Sequence, residues 1–300
     1  MIPIFDAHCD TLTAVYERGG GLLRNGYQLD LSRLERYAPA AQVFAVWGGH
    51  YAEKVEILRR ELAALEGRVA FCTTASEVSA AAADGKVAAL LSIEGAEQIE
   101  CSISRLREVR SRDGVVMMNL CWNQDNALCG AAMDSGSGLT ELGGQFVREA
   151  QRIGVAVDLS HASERTFWDV MEIAQKPVIA SHSNSAALSS AFPRNLTDAQ
   201  FTALSKCGGG AGLNLCADFL GHAPDVETCV EHIEHFLALG GEKAVFIGAD
   251  LDGVDALPKG ISGVEDLVKV YEAMLRRNYS EDLVRDIFYY NLLHILERTI

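Results

Sequence analysis

The chain has 300 residues, 49% of them hydrophobic, which suffices for a large core built as one barrel-sized unit or two smaller ones. Its formal net charge of −15 argues against nucleic acid and anionic membrane surfaces as partners, since both need clustered Lys and Arg. No stretch approaches the ~20 apolar residues of a spanning helix, and the opening Met1-Ile-Pro-Ile-Phe-Asp-Ala-His8 lacks a basic region followed by an apolar core, so no signal peptide is expected.

Ile2 to Ala7 is a short apolar run ending in His8-Cys9-Asp10. Side chains alternate along a strand, so His8 and Asp10 project to one side and can offer an imidazole and a carboxylate to the same ion. Gly19-Gly-Gly21 reads as a loop, Gln42 to Trp47 as a second strand, and Tyr51 to Leu65 as a helix. Val69 to Cys72 is too short to classify, and the alanine-rich Ser76 to Ala83 reads as a helix. Val87 to Ile93 is a strongly apolar run ending in Glu94. A carboxylate there is costly unless paired, either with metal or with an arginine such as Arg105.

Ile103 to Arg110 reads as a helix and Val115 to Leu120 as a strand, followed by the polar loop Cys121-Trp122-Asn123-Gln124-Asp125-Asn126, a candidate for substrate contact. After a helix over Glu141 to Ile153 come two matched units. Val155 to Ser160 and Pro177 to Ser181 are short apolar runs of the buried parallel type, each ending in a histidine, His161 and His182. The amphipathic stretch Glu164 to Gln175 joins them as a helix, with Ser163 as its N-cap. Strand-His, helix, strand-His sets two imidazoles side by side at the carboxyl edge of a parallel sheet, and this pairing favours metal binding over two unrelated turn histidines.

Arg194 lies in a loop on the rim of His182, placed for a bidentate carboxylate contact or for plain solvation. Thr197 or Asp198 caps a helix over Ala199 to Lys206. Gly208-Gly-Gly210 leads into a strand over Ala211 to Leu215, and Val226 to Leu239 is an amphipathic helix whose His232 and His235 fall off the apolar stripe and are expected to face solvent. Ala244 to Gly248 is the last strand, ending in Ala249-Asp250-Leu251-Asp252-Gly253, and Ser262 to Ile300 forms two helices. The eight cysteines are scattered without a Cys-x-x-Cys pair, so reduced, packed thiols in a cytoplasmic protein are expected.

Eight apolar strand candidates, ending near residues 7, 47, 93, 120, 159, 180, 215 and 248 and mostly separated by helices, predict a (β/α)8 TIM barrel as one domain over residues 1–300. In that fold His8, Asp10, Glu94, His161, His182 and Asp250 converge on one mouth.

These stretches resemble the renal (membrane) dipeptidase family, peptidase family M19, of the metal-dependent amidohydrolase superfamily. The resemblance rests on Phe5-Asp-Ala-His-Cys-Asp-Thr11, Ser92-Ile-Glu-Gly95, Asn119-Leu-Cys-Trp-Asn123, Asp158-Leu-Ser-His161, Ser181-His-Ser183, Pro193-Arg-Asn-Leu-Thr-Asp198 and Ile247-Gly-Ala-Asp-Leu-Asp-Gly253, and runs over nearly the whole chain. It implies hydrolysis of small dipeptides at a pair of zinc ions. His8 and Asp10 hold one ion, His161 and His182 the other, and Glu94 bridges them. Asp250 takes a proton from the water acidified between them and passes it to the leaving amine, while Arg194 holds the substrate carboxylate. Trp122 and Asn123 fall at the substrate, with Trp122 standing where the animal enzymes carry a histidine. The animal relatives are secreted and lipid-anchored, and a homodimer is usual among relatives.

Overall fold

The computed structural model describes residues 1–300. Nine strands run in parallel: β1 (Ile4–Cys9), β2 (Ala40–Val46), β3 (Val69–Phe71), β4 (Val87–Ile93), β5 (Val115–Asn119), β6 (Ala156–Asp158), β7 (Ile179–Ala180), β8 (Gly210–Leu213) and β9 (Val245–Ile247). Their order is β2-β1-β9-β8-β7-β6-β5-β4, and pairing of β2 with β4 closes the ring. Eight strands thus make the (β/α)8 barrel. The stretch at Val69 is a ninth strand outside the closure, where β3 pairs only with the start of β4. Its three residues grade from buried Val69 to exposed Phe71, too brief and too mixed to show a strand period.

β1, β2, β4 and β5 are buried at every residue, which is why their sequences are continuous apolar runs rather than alternating ones. All strands are parallel, so their carboxyl ends share one face, and the polar residues that end the runs are gathered there. Two glycines let the chain close tightly beneath the site. A Cβ at Gly212 or Gly248 would stand 2.0 or 1.7 Å from the carbonyl oxygen of Ser181, the residue before His182.

The helices follow the expected order. Thr74 caps Ala75–Ala83, Ser163 caps Glu164–Ile173 by accepting from Thr166 N at 3.0 Å, and Thr197 rather than Asp198 caps Asp198–Lys206. A helix over Thr11–Arg18 starts directly after Asp10 and has no counterpart among the expected elements. The second C-terminal helix runs from Glu281 to Leu296 and carries a π-helical segment at Asp286–Tyr290.

His232 corrects one expectation. It sits on the helix Val226–Ala238 but is fully buried, its Nδ1 accepting from Ser185 N at 3.1 Å and its Nε2 bonded to Leu220 O at 3.0 Å. The chain after β7 and the short helix Ala217–Leu220 cover the side of the helix that periodicity assigns to solvent. His235, partly exposed, pairs with Asp198 at 2.7 Å.

Candidate metal centre and substrate cleft

His8 is the penultimate residue of β1, Glu94 follows β4, His161 follows β6, His182 follows β7 and Asp250 follows β9, so the strand order brings all of them to one mouth. Asp10 occupies the N-cap position of the helix Thr11–Arg18 but its side chain caps nothing, which leaves the carboxylate to the site. All six are buried.

Glu94 is the hub. Its Oε1 lies 2.8 Å from His161 Nε2, 3.4 Å from His182 Nε2 and 3.8 Å from His8 Nε2. Arg105, the alternative partner, pairs instead with Glu100 at 3.0 Å. His8 Nε2 also stands 3.3 Å from Asp10 Oδ2 and 3.9 Å from Asp250 Oδ1. A side chain on Gly253 would collide with both carboxylates, at 2.2 Å from Asp10 Oδ2 and 2.5 Å from Asp250 Oδ1.

The tautomers follow from the far ring nitrogens. Ser181 Oγ–H donates to Asp158 Oδ2, so its oxygen accepts from His182 Nδ1–H at 2.6 Å. Asn123 Oδ1 accepts from His161 Nδ1–H at 2.8 Å. Each imidazole is therefore left with a bare Nε2, and the two face each other at 3.0 Å beside the Glu94 oxygen. Three acceptors converge with one protein donor among them, Arg194 Nη2 at 3.2 Å from His161 Nε2. Such a cluster repels itself unless a cation or a proton lies between, and imidazole with carboxylate oxygen is a donor set that divalent metals take. Held from behind, the rings have the orientation that metal-binding histidines usually receive from their second nitrogen. The residues present thus fit a metal. Two overlapping donor groups meet at His8: His8 with Glu94 and His182, and His8 with Asp10 and Asp250.

Electrostatics agree. Burial holds His161 and His182 well below the usual imidazole range, so both are neutral. Burial, aided by the charge of Asp10, lifts Glu94 well above the carboxylate range. For His8 burial opposes the charged form, but Glu94, Asp10 and Asp250 outweigh it and push the imidazole up to about 10. Burial lifts Asp250 to about 6, with His8 pulling the other way. Asp250 Oδ2 accepts from Asn214 Nδ2 at 2.9 Å. Both Asp250 and His161 hold left-handed backbone, φ 59° and 73°, a conformation that non-glycine residues keep only where surroundings impose it. Asp252, two residues on and a rival for the role of base, has both oxygens engaged, accepting from Thr11 Oγ1 at 2.6 Å and Gln28 N at 2.7 Å.

A cavity of about 480 Å³ opens over these groups and is also lined by Trp122, Asn123 and Arg194. Arg194 is buried yet meets no carboxylate. Its Nη atoms reach Ser183 Oγ, His182 O and His161 Nε2, and its Nε has no partner. A larger cavity of about 710 Å³ lies beside β3 and holds none of these residues.

Sequence reasoning missed several supports. Asp158 and Ser181 were legible only as parts of strand ends, and their role in fixing His182 needs the register of β6 against β7. Asn214, which donates to Asp250, carries no local signal at all.

Comparison with known proteins accords with this geometry. Residues 1–299 match the family described as membrane dipeptidase (peptidase family M19). An uncharacterized dipeptidase of Schizosaccharomyces pombe is 30% identical over 261 residues, which span 82% of this chain and 62% of that protein. A Rhodobacter sphaeroides metallopeptidase, solved with a phosphinate mimic of the dipeptide L-Ala-D-Ala, superposes with a TM-score of 0.91 at 28% identity, covering 100% of this chain and 99% of that one. Dipeptidase AC, a metallopeptidase of family M19, gives a TM-score of 0.91 at 30% identity over 99% of this chain and 98% of its own. With the match running from the first residue to the last but one, the chain belongs to the membrane dipeptidase family, peptidase family M19.

Proposed function

We propose that the protein is a zinc-dependent dipeptidase cleaving small dipeptides with a free C-terminal carboxylate. One observation carries this reading: a buried guanidinium without a carboxylate partner, Arg194, stands beside the converged donors His8, Asp10, Glu94, His161 and His182. A buried guanidinium with no carboxylate in contact is costly, and a substrate carboxylate would supply the missing contact. The free carboxylate of a dipeptide lies only one residue beyond the scissile bond, which matches the short reach between Arg194 and the donors.

His8 and Asp10 would hold one zinc ion, His161 and His182 the other, and Glu94 would bridge. Bound there, the ions would acidify a water and polarise the scissile carbonyl. Asp250 takes the proton as the water oxygen attacks the carbonyl carbon, and returns it to the amide nitrogen as the C–N bond breaks. Asn123 keeps the His161 ring turned toward Glu94. Trp122 offers one N–H donor and no positive charge, so carbonyl polarisation would fall to the bound metal.

The test is a screen of metal-loaded protein against dipeptides, N-acyl amino acids and C-terminally amidated dipeptides. Dipeptides are expected to turn over and their amides to be poor substrates. Turnover of N-acyl amino acids with dipeptides untouched would move the assignment to another amidohydrolase activity, and no turnover of any amide would overturn it.

Zinc binding should also be linked to protons. In the metal-free site His8 is raised to about 10 and Glu94 is raised by burial, so the folded protein holds protons that a cation must expel. Affinity therefore falls as pH falls, about tenfold per pH unit for each proton displaced. Competition with a chelator at pH 6 and pH 8 measures this, and equal affinity at both would remove His8 from the ligand set.

A further inference from the structure

Two tryptophans line the cleft, both half-buried: Trp47, directly after β2, and Trp122, in the loop after β5. Their ring centroids lie 4.8 Å apart with planes at 53°, so the indoles form an open notch, and Trp122 lies 6.3 Å from the His161 ring. In the ring of strands the pair flanks β4, the strand of Glu94, and β4 stands diametrically opposite β8. Arg194, in the loop after β7, reaches His161 Nε2 at 3.2 Å and has the Phe219 ring 5.4 Å from its guanidinium. Arg194 and both indoles line one cavity, so a dipeptide anchored by its carboxylate on Arg194 shares that cavity with the two tryptophans.

The notch is built at a cost. The Trp47 carbonyl accepts from Thr13 Oγ1 at 3.2 Å and from Lys54 Nζ. Lys54 is fully buried, pairs with no carboxylate, and has the Tyr16 ring 5.5 Å from its ammonium. A buried ammonium is expensive to keep, and here its one hydrogen bond goes to the residue that sets the wall of the cleft.

We propose that Trp47 and Trp122 bind the side chain of the substrate's N-terminal residue and select dipeptides in which that residue is aromatic or large and apolar, with Lys54 as the positioning residue for Trp47. The proposal rests on the dipeptidase reading for the placement of the substrate. Indole faces reward flat apolar groups by burial and by tilted ring contact, and give nothing to glycine.

The experiment compares kcat/KM for Phe-Ala and Gly-Ala in metal-loaded wild type, Trp47→Ala, Lys54→Met and Lys54→Arg. Wild type is expected to favour Phe-Ala by about 10- to 100-fold. Trp47→Ala should abolish most of that ratio while leaving Gly-Ala within about threefold, and Lys54→Met should do the same at unchanged metal content, with Lys54→Arg restoring part of it. A second readout needs no turnover. The chain has three tryptophans, and the third, Trp168, is exposed on the helix Glu164–Ile173. In a Trp168→Phe background, fluorescence therefore reports the notch alone during titration with non-hydrolysable phosphinate analogues of Phe-Ala and Gly-Ala. Tighter binding of the Phe analogue, lost in Trp47→Ala, supports the notch even where hydrolysis fails. Cleavage of both dipeptides with no preference, or an equal fall for both in Trp47→Ala, overturns the notch and leaves the hydrolytic reading standing.

Discussion

Asp250→Asn lowers kcat by roughly 10²–10⁴-fold, the usual worth of general acid–base catalysis, with metal content and KM little changed. The substitution isolates charge. Asn is among the few residues that accept left-handed backbone, so φ 59° at this position is preserved. The amide oxygen can still accept from Asn214 Nδ2, now 2.9 Å from the carboxylate. What disappears is the base. Burial lifts the Asp250 carboxyl to about 6 against the pull of His8 and Arg194, so it is mostly ionised at neutral pH and ready to take a proton. Activity should accordingly decline on an acid limb at or below about pH 6. Because Asp250 also shares a possible donor group with His8 and Asp10, metal content must be measured alongside kcat. Asp252→Asn is the control. Both its oxygens bind within the protein, to Thr11 and Gln28, so it should reduce stability more than kcat. Near wild-type kcat in metal-replete Asp250→Asn, with a collapse in Asp252→Asn, would transfer the role.

The barrel was legible because its strands are buried on both faces and therefore stand in the sequence as unbroken apolar runs, each ending abruptly in a polar residue. His8, Glu94, His161, His182 and Asp250 are those end residues, and parallel topology alone brings them together. Legibility failed where a residue's setting is decided by elements far away in the chain. β3 has three residues and leans only on β4, so no period could reveal it. His232 follows helical spacing into the solvent face, but the chain after β7 folds over that face. Lys54 has the character of a surface lysine, yet the Trp47 carbonyl, seven residues earlier, draws it inside. The serine at 181 looks like an ordinary strand residue until β6 brings Asp158 against it and makes it the holder of His182.

Arg194→Met should act on binding where Asp250→Asn acts on chemistry. Truncating one partner of a buried charge pair costs about 2–5 kcal/mol, or roughly 30- to 5,000-fold in kcat/KM. Most of the loss should appear in KM, because the carboxylate is held equally in ground and transition states. The variant should also lose its preference for a free carboxylate, so that the dipeptide amide is no longer handicapped. Stability gives an independent check. Arg194 is buried with an unpartnered Nε and no carboxylate in contact, and burial lowers its basicity. A group that expensive is not there to hold the fold, and a flexible apolar side chain of similar length should leave Tm unchanged or raise it. The gain would be sharpest without ligand. A substrate-mimicking inhibitor should raise the wild-type Tm by mass action and the variant Tm far less. A sharp drop in Tm, with the amide still disfavoured, would instead make Arg194 a structural tie between Ser183, the His182 carbonyl and His161. The carboxylate contact would then have to be sought elsewhere in the cleft.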